Sequence, residues 1–124
     1  MELSEYFDTT KGRGVLATAD SNGVVDAAIY ARPHFVAEDR IAFVMTNRVT
    51  HKNLASNPHA VYLFMEGGEG YHGKRLYLLK KGEEQNPDLV DALRRKSYAV
   101  SEGDENAEYL VYFQVERVRP LVGS

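Results

Sequence analysis

Arg48, Thr50, His51 and Lys52 fall within five residues of one another in a 124-residue chain. They sit inside the segment RIAFVMTNRVTHKNLASNPHAVYLF (residues 40–64). An apolar run of strand composition precedes them. A helix of one to two turns follows, stopped at Asn57-Pro58, and a second apolar run resumes behind it. The cations therefore gather where a strand ends and a helix begins. The first N–H groups of a helix have no partner inside it, and its dipole is positive at that end, so an anion is favoured there. The chemistry this points to is the grip of a phosphate. Arg48 and Lys52 are the strongest ligand candidates because ionised donors bind phosphate most tightly. Thr50 suits either a helix cap or a phosphate ligand, and His51 either a ligand or a surface histidine.

No second constellation competes. His34, His51, His59 and His72 show no HxH or HExxH spacing, so no structural metal is expected. The glycine-rich stretch EGGEGYHGK (residues 66–74) lacks the Walker spacing, and Glu66 and Glu69 oppose a phosphate there. It reads as an adaptable rim, with Tyr71 or His72 able to cover a flat ring. Neither a Ser-His-Asp set nor paired carboxylates can be argued from spacing. Such a chain fits chemistry carried by a cofactor, for which the protein supplies binding, orientation and electrostatics. It fits a non-enzymatic carrier equally well.

The elements that must position these residues are mostly strands. Residues 3–10 form an amphipathic helix through Leu3, Tyr6 and Phe7, with Ser4 placed to cap it. Strands are predicted at 15–19, 24–36, 40–45, 59–66, 74–81 and 109–120. Pro33 marks a bulge or an edge position in the long second strand, and Asn22-Gly23 gives a hairpin turn after the first. Asn86-Pro87-Asp88 starts a helix that runs to about residue 98 and buries Leu89, Val90 and Leu93. An acidic loop, SEGDENAE (residues 101–108), leads to the last strand. Strands joined by short turns, with helices inserted between them, make an antiparallel β-barrel rather than a βαβ sheet.

Composition sets the remaining bounds. The length suits a single domain with a real core. A formal charge of −3 and basic runs flanked by acids argue against a nucleic-acid partner. No apolar run nears the roughly 20 residues a membrane span requires. Zero cysteines leave no disulfide framework and no thiolate site. A cytoplasmic location is the expectation.

The succession of strand, Asn-Gly turn, strand, strand, Thr-Asn-Arg-Val-Thr-His-Lys loop, Asn-Leu-Ala-Ser-Asn-Pro helix end and strand resembles the FMN-binding split-barrel family, the pyridoxamine 5′-phosphate oxidase-like flavoproteins. The resemblance implies a mainly β fold: an antiparallel six-stranded split barrel of Greek-key type with short flanking helices. It implies FMN as cofactor, a homodimer with flavin at the subunit interface, and a flavin-dependent oxidoreductase acting on a small molecule. The alternative is a non-catalytic carrier or sensor of FMN or haem, and relatives of the fold also use a deazaflavin. The residues matching the family's phosphate loop are Arg48, Thr50, His51 and Lys52, with Thr46 and Asn47 just upstream. Those matching the strand beside the isoalloxazine are Ala28, Ile29, Tyr30 and Ala31. The Thr-His-Lys run departs from the usual Arg-Lys or Ser-x-Lys signature. The chain is also shorter than a pyridoxamine 5′-phosphate oxidase and lacks the matching C-terminal segment for pyridoxal phosphate.

Overall fold

The structure is a computed structural model that describes residues 2–96 and 109–123. Its elements run α1 (Leu3–Thr9), β1 (Gly12–Ala19), β2 (Val25–Tyr30), β3 (His34–Ala37), β4 (Arg40–Met45), α2 (Val49–Ser56), β5 (His59–Glu66), β6 (Gly73–Glu84), α3 (Pro87–Lys96) and β7 (Tyr109–Pro120). The expected end of the last helix at residue 98 and the acidic stretch at 101–108 lie outside the described residues.

The strands form one antiparallel sheet in the order β2-β1-β5-β6-β7-β4-β3. Its two edge strands, β2 and β3, are consecutive in the chain and joined only through Ala31, Arg32 and Pro33. Laid flat, seven strands would separate those edges by roughly 28 Å. The link from Tyr30 to His34 spans at most roughly 14 Å. The sheet must therefore curl until its edges approach, which makes a barrel open along the β2–β3 seam.

This corrects the strand count. The expected long strand at 24–36 is two strands on opposite edges, so the barrel has seven strands rather than six. Pro33 is the physical reason, because it offers no N–H to a ladder and restricts the residue before it. The antiparallel, mainly β class is as expected, and the Asn-Gly turn forms, with Gly23 at φ 81°.

Alternation fills the interior. Leu16 of β1, Tyr62 and Phe64 of β5, Leu76 and Leu78 of β6, Ile41, Phe43 and Met45 of β4, and Phe113 of β7 all point inward and are buried. β4 is buried on both faces because Ala42 on its outer side lies under α3, packed with Val90 and Leu110. Phe7 of α1 joins the core, its ring 4.9 Å from Phe64 and 6.2 Å from Tyr62. The expected Ser4 cap is replaced by a long-range one. The Glu38 carboxylate accepts from the backbone N–H of Leu3 at 2.6 Å and of Ser4 at 3.3 Å, while Ser4 Oγ donates to it at 2.8 Å.

Candidate functional site

α2 starts at Val49 because Arg48 is still extended, at φ −123° and ψ −168°, and serves as the N-cap with no side-chain hydrogen bond. The first helical bond is donated by Lys52 N to Arg48 O at 3.0 Å. The N–H groups of Val49, Thr50 and His51 thus have no acceptor within the helix. The first turn contains no acidic residue to neutralise its dipole. The side chains of Arg48 and Lys52 are exposed and make no hydrogen bond or ion pair with any described residue. Two free cations at an uncapped helix start form a fitting cradle for a phosphate group.

The other loop residues are placed differently. Thr50, which by type suits either a cap or a phosphate ligand, lies one residue inside the helix and is buried; the N-cap position belongs to Arg48, whose side chain caps nothing. His51 turns away from the helix start. Its Nδ1 lies 3.3 Å from Asn47 Oδ1, its Nε2 lies 3.0 Å from Glu83 Oε2, and its ring stacks on Tyr109 with centroids 4.0 Å apart. Lys80 donates to the same Glu83 carboxylate at 2.7 Å. Burial pulls the Glu83 carboxyl up, but the hydrogen bonds from Lys80 and His51 and their charges outweigh it and hold it below the usual range. Thr46 sits in the preceding turn, its carbonyl accepting from Arg48 N at 2.9 Å.

Residues 28–31 come from a different element. Ala28, Ile29 and Tyr30 end β2, paired on one side only to β1, and Ala31 follows it. Ala28 and Tyr30 are half-buried while Ile29 is 65% exposed. α2 packs against both β1 and β2, which sets the helix beside this edge strand. One bond anchors the packing: Asn53 Nδ2 donates to Thr18 Oγ1 at 3.1 Å, both residues buried.

Sequence spacing alone does not place Asn53, Thr18, Glu83 and Tyr109 beside the helix start. Thr18 carried a signal, since it is the one hydroxyl at an inward position of an otherwise apolar β1 face. Glu83 and Tyr109 carried none, because only the sheet brings them to His51. Among the described residues no group of three or more His, Asp or Glu side chains could hold a metal ion. No described helix is long and apolar enough to cross a membrane.

No family model matches the chain, and no curated protein sequence matches it. Solved structures do. An FMN-binding protein from Syntrophomonas wolfei subsp. wolfei superposes with a TM-score of 0.79 at 16% identity, covering 99% of this chain and 86% of that one. An F420 reductase superposes with a TM-score of 0.73 at 14% identity, covering 93% and 94%. HutZ, the haem-storage protein from Vibrio cholerae, superposes with a TM-score of 0.68 at 14% identity, covering 95% and 91%. The chain therefore has the split-barrel fold shared by FMN-binding and pyridoxamine 5′-phosphate oxidase-like proteins.

Proposed function

We propose that this protein binds FMN with its phosphate at the start of α2, and that it is a homodimeric, cytoplasmic flavin-dependent oxidoreductase acting on a small molecule. The observation that carries the reading is the uncapped helix start flanked by the free cations Arg48 and Lys52. The likeness to an FMN-binding protein supports FMN over other phosphorylated ligands. When bound, the flavin supplies the redox chemistry. The chain's own part is to hold the phosphate through Arg48, Lys52 and the first-turn N–H groups, and to border the ring with residues 28–31 of the neighbouring edge strand. His51, held by Glu83 and Tyr109, sets the position of the helix start rather than touching the phosphate.

A dimer is supported by the outer face of the sheet. α3 covers the outside at β4 and β7, while α2 meets β1 and β2 through the inward-facing Thr18. Register aligns Ile29, Val15 and Leu63 in one apolar row across those strands. Ile29 is 65% exposed while Val15 and Leu63 are half-buried, and an apolar row open at its edge in this way suits a subunit interface.

The test is direct. Purified protein incubated with FMN should retain it through gel filtration. Arg48→Ala/Lys52→Ala should weaken binding by about 3 kcal/mol or more, taking a charged hydrogen bond as about 1.5–3. A protein that stays colourless, or a double variant that binds as well as the parent, overturns the site. Anaerobic reduction of bound flavin by NADH or NADPH tests the oxidoreductase role. The likeness to a haem-storage protein favours a second reading, a haem carrier. A Soret band on haem titration, with no retention of FMN, would select it. The F420 reductase likeness makes a deazaflavin the competing cofactor, and binding measured against FMN decides between them.

A further inference from the structure

A second group of cations stands apart from α2, on the outward face of the β6–β7 pair. Register sets Arg75 opposite Arg119 and Tyr77 opposite Arg117. These positions alternate with the inward, buried Leu76 and Leu78. Like charges directly across a ladder repel. Yet none of the three guanidinium groups has a described carboxylate within ion-pair distance. Arg75 is fixed in place, donating from Nε to Pro120 O at 2.8 Å and from Nη2 to Gly123 O. The Arg119 guanidinium carbon lies 5.8 Å from the centre of the Tyr77 ring. Its Nε is buried and has no hydrogen-bond partner. A buried donor left unmade is costly. The Tyr77 phenol feels the same uncompensated field. The Arg119 guanidinium beside it holds it below its usual range, outweighing the opposing effect of burial, and the charges of Arg75 and Arg117 add to this.

Tyr77, opposite Arg117, also forms one wall of a hollow of about 320 Å³, lined further by Ala17, Val25 and Val61, by Asn57 and His59, and by Glu116 as its one acid; the arginines stand beyond the Tyr77 wall rather than in the lining. We propose that Arg75, Arg117 and Arg119 form a second anion site, which takes the phosphate or carboxylate of a small organic anion whose apolar body lies in the hollow against Tyr77. Guanidinium forks match both anions in two-pronged geometry. Glu116 on the same wall disfavours a second negative group, which selects ligands with a single anionic end. The anion-binding arginines are separate from Arg48 and Lys52, while the hollow reaches Asn57 at the end of α2 and adjoins the outer face of β1 and β5 proposed above as the dimer contact.

The experiment titrates phenyl phosphate into the full protein, with and without excess FMN, by calorimetry, and benzoate in parallel to rank phosphate against carboxylate. The expected result is saturable binding unaffected by FMN. It should weaken at least tenfold in Arg117→Ala/Arg119→Ala and stay unchanged in Arg48→Ala/Lys52→Ala. Phenolate absorbance at 295 nm gives a second readout. Bound anion offsets the cationic field, so the Tyr77 transition, identified by its absence in Tyr77→Phe, should move to higher pH. If the double arginine variant does not fold, Arg117→Gln is read by this shift alone. A reduced shift supports the site and an undiminished one overturns it. Absence of saturable binding, competition by FMN, or loss of binding in the α2 variants also overturns it. FMN retention in the arginine variants reports separately on the α2 site.

Discussion

The hydroxyl of Tyr62 donates to the carbonyl oxygen of Ala31 at 3.1 Å, and lies 3.3 Å from that of Tyr30. Tyr62 belongs to β5 and its ring is fully buried, so this bond ties the barrel interior to the seam where β2 ends and the chain crosses to β3. The ring reaches the seam only because Gly14 leaves room. A Cβ at that position would overlap the Tyr62 phenol. Burial drives the Tyr62 hydroxyl well above the usual phenol range, with the Arg32 charge opposing, so it stays a donor across physiological pH.

Tyr62→Phe should keep the fold and lose about 1 kcal/mol, the net value of a typical hydrogen bond. Amide exchange in β2 should speed up while that in β6 does not. Gly14→Ala should cost more, about 1–3 kcal/mol by overpacking. Denaturant melts of the two variants check the order.

Arg32 ties the seam to α1. Its Nη1 donates to Phe7 O at 2.8 Å and to Thr10 O at 2.7 Å, meeting the last carbonyls of the helix with a positive charge. Arg32→Met should destabilise by about 2 kcal/mol, the scale of a charged hydrogen bond. Proteolysis should then begin between α1 and β1, which limited digestion followed by mass spectrometry would locate.

Glu83 gives stability a dependence on acid. Its folded carboxyl is held below the ordinary 4.5 by Lys80 and His51, against the upward pull of burial. A depressed carboxyl contributes stability above its unfolded pKa and loses it as pH falls through the folded value. The parent should therefore weaken as pH drops below about 4.5, and Glu83→Gln should show a flatter limb there with lower stability at pH 7. Thermal melts from pH 3 to 7 measure both slopes. The same melts in the presence of FMN show whether releasing His51 loosens the phosphate site.

The apolar row on the outer face makes a prediction about assembly. Ile29 is 65% exposed on an edge strand and contributes nothing to the core of its own barrel. Ile29→Lys should leave the circular dichroism spectrum unchanged and convert a dimer to a monomer in sedimentation. A parent that sediments as a monomer would remove the proposed interface altogether.

Much of the architecture was legible before any coordinates. The bounds of β4, β5 and β7 follow from apolar alternation, the Asn-Gly turn from its φ requirement, and the start of α3 from Asn86-Pro87-Asp88. The cationic helix start was legible too, because a strand, a basic loop and Asn57-Pro58 are local signals. The split of the second strand was only half legible. Pro33 marks a break, but the placement of the two halves on opposite sheet edges depends on closure of the whole barrel.

The sequence by itself determined which segments are extended, where the chain turns, and which residues form the cationic helix start at Val49. Those are properties of short windows, set by sterics and side-chain periodicity. Only the tertiary structure decided that His51 is drawn toward Glu83 and Tyr109, that Glu38 caps α1, and that Arg119 comes beside Tyr77 with Arg117 opposite it in register. Each of these brings together groups roughly 30 to 60 residues apart in the chain, or opposite one another on paired strands. No local pattern encodes such meetings, because they depend on sheet register and on the curvature that closes the barrel.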